Sequence, residues 1–433
     1  MSTRDLLELI DASPSPYHAA SASVRRLEAH GFTALDEREP WDLGPGAKRY
    51  VVRGGASVVA FECGAAPPER GGFLLIGAHT DSPGLRVKPN ADVRASGYRQ
   101  LAIEVYGGAL QSTWLDRDLG AAGRVALADG TTRLVRFARP ICRIPNLAIH
   151  LNREVNTHGL QLNAQTQLTP LLGMATDPEA PPFKELVAQE LGEGLRANDL
   201  LGWDLCLFDS APSALIGDAA ELISAPRLDN LGSCHAALVA LTSAGAPGDA
   251  TRVVALYDHE EVGSQSAAGA RSRFLTSVLE RVAGSSPHAT SQAAARAFAR
   301  SFLLSADMAH AIHPNYADKH DKEHAPRLGG GPVIKVNANQ SYASDGPGIA
   351  LFAQACAATG VSSQRFVSRN DLPCGSTIGP ITAARMGIRA VDVGNPMLAM
   401  HSCRELAAAA DVAPMIQAMT WLFTEARPPA PSC

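Results

Sequence analysis

The chain has 433 residues, more than one hydrophobic core usually organises, so two domains are the first expectation. Apolar residues make up 46% and charged residues 19%, ordinary globular values that set aside disordered, coiled-coil and collagen-like chains. The formal net charge is -5 and no Lys/Arg stripe is interleaved with aromatics, which argues against nucleic acid as a partner.

The segment Met1 to Ile10 places Asp5 and Glu8 where a secretory signal needs an unbroken apolar run, and no apolar run reaches the roughly 18 residues of a membrane span. Eight cysteines stand singly, without a C-x-x-C pair, and suit a reducing compartment. A cytoplasmic protein with no membrane partner is the expectation.

In chain order, residues up to His30 read as two helices separated at Asp11-Ala12-Ser13-Pro14-Ser15-Pro16, because each proline disfavours helix before it. Short β-prone runs follow at 50–53, 57–61 and 73–78. The last is apolar throughout, as a central strand covered on both faces would be, and His79 stands at its carboxyl end. From about Val87 to Ala225 the texture changes to short strands with Gly and Pro breaks and an exposed loop at 177–182, which reads as an inserted domain. Helix and buried strand then alternate: a helix over 236–241, a strand over 252–257, a helix over 274–283 and a strand over 302–306. Further strands are expected at 332–336, 365–367 and 389–393, a final helix from about Ser402, and a Pro-rich tail from Arg427 to Cys433. The fold class is α/β, with residues 1–86 and 226–433 forming one domain around a mostly β insert at 87–225.

Five polar clusters follow buried strands or open helices, where open α/β sheets place their ligand sites: His79-Thr80-Asp81, Arg227-Leu228-Asp229-Asn230, Asp258-His259-Glu260-Glu261, Asp307-Met308-Ala309-His310 and Met400-His401-Ser402. Imidazoles and carboxylates without thiolate suit Zn, Mn or Co. Asp81 is spaced to accept the second ring N–H of His79 and so orient it as a ligand. Of the adjacent carboxylates, Glu261 is assigned to metal and Glu260 to a base that takes a proton from metal-bound water. Asp229, short and at a helix start, is the candidate to bridge a second ion. Asp318 to His324 reads as a solvated loop rather than a further metal site.

These segments resemble the aspartyl aminopeptidases, the M18 metallopeptidases. Matching stretches include Gly77-Ala78-His79-Thr80-Asp81-Ser82-Pro83, Glu104-Val105-Tyr106-Gly107-Gly108, Asp258-His259-Glu260-Glu261-Val262-Gly263-Ser264, Ser305-Ala306-Asp307-Met308-Ala309-His310 and Met400-His401-Ser402, and with others they run over nearly the whole chain. The resemblance implies an αβα catalytic domain with an inserted dimerisation domain. It implies one metal on His79, Asp229 and Asp307, another on Asp229, Glu261 and His401, and Glu260 as general base. It also implies release of N-terminal Asp or Glu from peptides, with His150, His310, Lys335 and Tyr342 at positions that contact substrate. His150, in the insert, would reach a neighbouring subunit's site. Two divalent ions per subunit, most naturally zinc, and a homo-oligomer, typically a dodecamer assembled from dimers, complete the expectation. Cys403 departs from the family pattern, which expects an aliphatic residue there. A neutral aminopeptidase, dipeptidase or deacylase on the same dinuclear centre, and a non-catalytic binding protein, are the alternatives.

Overall fold

The computed structural model describes residues 3–286 and 288–427, so the tail beyond Arg427 lies outside the described residues. Among them, no helix is long and apolar enough to cross a membrane. The strands form three sheets. The largest, of nine strands, runs in the order Thr33–Ala34, Lys48–Arg53, Ser57–Glu62, Thr251–Tyr257, Phe73–His79, Phe302–Ala306, Arg389–Gly394, Val333–Lys335, Gln364–Phe366. Its central members, Thr251–Tyr257, Phe73–His79, Phe302–Ala306 and Arg389–Gly394, pair in parallel.

The period-two alternation of a strand covered on both faces explains why these runs are mostly apolar on either side. Leu74, Ile76, Val254, Leu256 and Leu304 face one core, shared with helices Leu228–Ser243, Gly346–Ala358 and Val412–Glu425. Phe73, Leu75, Val253, Ala255 and Leu303 face the other, shared with helices Phe274–Gly284 and Ile378–Met386. The result is an αβα sandwich in which the carboxyl ends of the parallel strands open on one edge.

A second sheet of six antiparallel strands is ordered Thr132–Arg136, Leu119–Leu127, Leu200–Asp209, Gly84–Ala95, Tyr98–Tyr106, Leu171–Met174. Its core, with Leu85, Leu101, Leu119 and Leu205, is closed by Phe183 and Val187 of helix Phe183–Leu191. This sheet begins at Gly84. Residues 214–225, which the sequence reading placed in the insert, pair as strands Ala214–Ile216 and Leu222–Ala225 with Glu405–Ala408 in a five-stranded sheet that also holds Pro396–Leu398 and Ala309–His310. The final helix begins at Val412 rather than near Ser402, because residues 405–408 are drawn into that sheet and bury Glu405.

Candidate active site

Every residue of the five polar clusters that the sequence assigns to metal or base reaches one cavity or the floor beneath it. His79 ends the central strand Phe73–His79, and Glu260 and Glu261 stand in a 3-10 turn after strand Thr251–Tyr257. Asp307 follows strand Phe302–Ala306, Asp229 sits in the irregular first turn of helix Leu228–Ser243, and His401 lies in the turn between strands Pro396–Leu398 and Glu405–Ala408. The cavity, of about 270 Å³, is lined by Asp229, Glu260, Glu261, Asp307, Met308, His310, Lys335, Tyr342, Gly375, Ser376, Met400 and His401.

Spacing within this cluster has a recognisable scale. His79 Nε2 lies 3.5 Å from Asp229 Oδ1 and 3.7 Å from Asp307 Oδ2. His401 Nε2 lies 3.4 Å from Asp229 Oδ2 and 3.5 Å from Glu261 Oε2. Ligands about 2.0–2.2 Å from a tetrahedral zinc are separated by about 3.3–3.6 Å, so these gaps have the length of coordination edges rather than of hydrogen bonds. Asp229 Oδ1 and Glu261 Oε1 are buried without any hydrogen-bond partner, an arrangement that costs free energy unless a cation completes it. Donor atoms of His79, Asp229 and Glu261, and separately of His79, Glu260 and Asp307, come within 4.8 Å of one another. The donor set therefore fits a divalent metal.

Both imidazoles turn Nε2 toward the centre. The Nδ1 of His79 is held by the backbone carbonyl of Asp81 at 3.0 Å, and that of His401 by the carbonyl of Gly108 at 3.1 Å. Carbonyl acceptance places the proton on Nδ1 and leaves the Nε2 lone pair free. The sequence reading expected the Asp81 carboxylate to take that role for His79. Its nearer oxygen stands 3.5 Å from Nδ1, and the carboxylate is instead committed to the backbone N–H groups of Glu260 and Glu261, each at 3.1 Å, and to Tyr106 Oη at 2.7 Å. Three donors outcompete one ring N–H for the same two oxygens.

Crowding of buried carboxylates sets the electrostatics. Burial, with the charges of Asp307, Asp81 and Asp229, raises the Glu260 carboxyl to about 7. Burial and Asp229 raise Glu261 well above the usual carboxylate range. Asp229 goes the other way: burial opposes its ionisation, but the His401 and His79 imidazoles that face it hold it below the usual range. Burial also disfavours the His79 imidazolium, yet Asp229, Asp307 and Asp81 outweigh it and raise the ring.

Lys335 is buried on its strand and donates to Asp307 Oδ1 at 3.1 Å and to the Met308 carbonyl at 2.8 Å, with Nζ 5.2 Å from the Tyr342 ring centroid. His310 stands at the cavity mouth, edge-on to Phe366 at 5.7 Å. His150 is exposed on the turn Ile149–Leu151 and does not line the cavity of its own chain. Cys403 is buried in the core of the six-stranded sheet and does not line the cavity. The loop from Asp318 to His324 contributes to neither donor group.

Two residues were missed by sequence reasoning. Glu405, 3% exposed, accepts the Asp229 N–H at 3.1 Å and the His401 N–H at 2.8 Å, and so ties together the backbones of two candidate ligands. Its position four residues past His401, in His401-Ser402-Cys403-Arg404-Glu405, was the available signal. Tyr106, which reaches Asp81 from the other sheet, carried none beyond its place in a family motif.

An αβα sheet with this carboxylate–imidazole cluster at its parallel strand ends defines a metal-dependent hydrolase. The family model described as "Aminopeptidase I zinc metalloprotease (M18)" matches residues 9–423. The chain is 50% identical over 415 residues to the probable M18 family aminopeptidase 2 of Streptomyces avermitilis, covering 94% of each. It superposes with a TM-score of 0.93 and 39% identity on a chain of the Ape4 and Nbr1 complex, covering 97% of this chain and 85% of that one. With a chain of the S. cerevisiae mApe1 dodecamer the TM-score is 0.84 and the identity 29%, over 97% and 95%. This chain belongs to the M18 family of zinc metallo-aminopeptidases and is a peptide hydrolase.

Proposed function

We propose that the chain releases acidic N-terminal residues, Asp or Glu, from peptides at a centre of two zinc ions. The observation that carries the dinuclear reading is Asp229, whose Oδ1 faces His79 and whose Oδ2 faces His401 at coordination-edge distances. His79, Asp229 and Asp307 would hold one ion and Asp229, Glu261 and His401 the other; manganese or cobalt suits the same donors. When bound, the ions supply Lewis acidity and make water nucleophilic near neutral pH.

Glu260, beside the ligands but outside both sets, takes a proton from the attacking water and returns it to the departing amine. Asp81 acts through its two N–H acceptances, which hold Glu260 and Glu261 in register. Tyr342 and His310 offer donors to the developing oxyanion, and the Lys335 ammonium makes the cavity attractive to a carboxylate side chain. Similarity to a dodecameric relative supports assembly of dimers into a dodecamer. Within it, His150 would enter a neighbouring subunit's site from a turn whose Ile149 and Leu151 are 46% and 75% exposed.

A neutral-residue aminopeptidase is the second reading, favoured by the fact that Lys335 already spends donors on Asp307 and Met308. Release of free amino acid from Asp-, Glu-, Leu- and Lys-initiated peptides separates the two, with wild type and Glu260→Gln compared after metal reconstitution. Cleavage confined to Asp and Glu substrates, nearly abolished in a Gln variant that keeps its zinc, supports the acidic reading. Fastest release of Leu would replace it with the neutral one.

A further inference from the structure

The turn that leaves strand Tyr98–Tyr106 belongs to the six-stranded sheet, yet its residues end against the centre built by the other sheets. Tyr106 Oη donates to Asp81 Oδ2 at 2.7 Å, the oxygen that also receives the Glu261 N–H at 3.1 Å. The Tyr106 ring is itself fixed, with the Arg86 guanidinium 3.8 Å from its centroid. Gly107 has φ +65°, and a Cβ there would lie 3.1 Å from Glu261 Cβ and 3.2 Å from the Glu261 carbonyl oxygen. The Gly108 carbonyl accepts His401 Nδ1 at 3.1 Å, and a Cβ on Gly108 would stand 3.3 Å from that nitrogen. Leu110 closes the contact by donating its N–H to the His401 carbonyl at 3.0 Å. One short segment thus touches the base's support, one candidate ligand's side chain and another's ring.

From this we infer that the Tyr106-Gly107-Gly108 turn is a positioning element which the six-stranded unit supplies to the metal centre, a role beyond assembly; the inference rests on reading the centre as a zinc site. Gly108 fixes the tautomer and direction of the His401 ring, so that Nε2 rather than Nδ1 faces the ion it would share with Glu261 and Asp229. Tyr106 anchors Asp81, and through it the backbone that carries Glu260 and Glu261. Neither residue touches the reacting atoms. Gly107 is favoured by its positive φ, and at Gly108 a side chain would make the His401 ring give way by a few tenths of an ångström.

Two variants of the full-length holoenzyme test this, with zinc affinity read by chelator competition, kcat and KM read separately, and thermal midpoint and oligomer size as controls. Gly108→Ala, which presses on the ring, is expected to weaken one zinc, that shared by His401, Asp229 and Glu261, about 10- to 100-fold and to leave the other within about twofold, with activity restored by added zinc. Tyr106→Phe keeps the ring against Arg86 and removes only the hydroxyl. It is expected to lower kcat about tenfold with KM within about twofold, both zinc ions retained and no rescue by added zinc. Wild-type zinc affinity and kcat in both variants would overturn the role of the turn. So would losses that follow a fall in thermal midpoint or oligomer size and ignore added zinc in Gly108→Ala. A wild type that binds no zinc or releases no amino acid would instead overturn the reading of the centre, and this inference with it.

Discussion

Glu405 provides the sharpest quantitative test of how the centre is held. Its two oxygens each accept one backbone N–H, from Asp229 at 3.1 Å and from His401 at 2.8 Å, in a site 3% exposed. Burial and the Asp229 charge raise its carboxyl to about 8, while the two N–H groups pull the other way by favouring the ionised form. Glu405→Gln keeps one acceptor and turns an NH₂ group toward the other N–H. One hydrogen bond is lost, and the buried N–H left unpaired costs about 1–3 kcal/mol. If about 2 kcal/mol of this appears as displacement of Asp229 and His401, zinc at the position they share weakens about 30-fold, since about 1.4 kcal/mol is a factor of ten. Chelator competition on the purified holoenzyme measures this directly, with the thermal midpoint of the zinc-loaded form as a companion. Zinc affinity within twofold of wild type would show that the Glu405 bonds do not position the ligands, and the argument would fail.

Three further outcomes are expected. Zinc loading at pH 7 should expel protons, because Glu260 at about 7 and Glu261 well above the carboxylate range hold protons in the metal-free protein, and affinity should therefore rise with pH through that window; calorimetry in buffers of different ionisation enthalpy reads the proton count, and an enthalpy independent of buffer would contradict it. Lys335→Met should lower the ratio of Asp to Leu release about 10- to 100-fold, the equivalent of one hydrogen bond to a charged group; an unchanged ratio would remove Lys335 from acidic recognition. Arg252, 1% exposed, binds Glu62 Oε2 at 3.0 Å and the carbonyls of Phe423, Gly245 and Ala246, so Arg252→Met should cost about 3–5 kcal/mol in denaturant unfolding by stranding Glu62, without altering kcat of the folded enzyme.

Local chemistry made much of this protein legible in advance. Strands Phe73–His79, Thr251–Tyr257 and Phe302–Ala306 announce themselves by their largely apolar runs, because a strand between two helical layers needs apolar residues on both faces. Each ends in a His or is followed at once by an Asp, so the cluster could be assembled on paper from the rule that ligands gather at parallel strand ends. Asp229 stood out as a short carboxylate at a helix start, and His401 took its ligand role from the family resemblance.

What lay beyond the sequence were pairings between distant segments. Residues 214–225 read as part of the insert until they are seen to pair with Glu405–Ala408, and that pairing replaces the beginning of the expected final helix with a strand that carries Glu405 under the centre. Likewise the Asp81 carboxylate was assigned to His79 from a spacing of two residues, whereas Tyr106, Glu260 and Glu261 claim it from 25, 179 and 180 residues away. Residue type and position relative to a strand are properties of the chain and determine which groups can bind a metal. Which oxygen faces which donor depends on competition among all partners brought within hydrogen-bonding reach, and only the tertiary structure decides that competition.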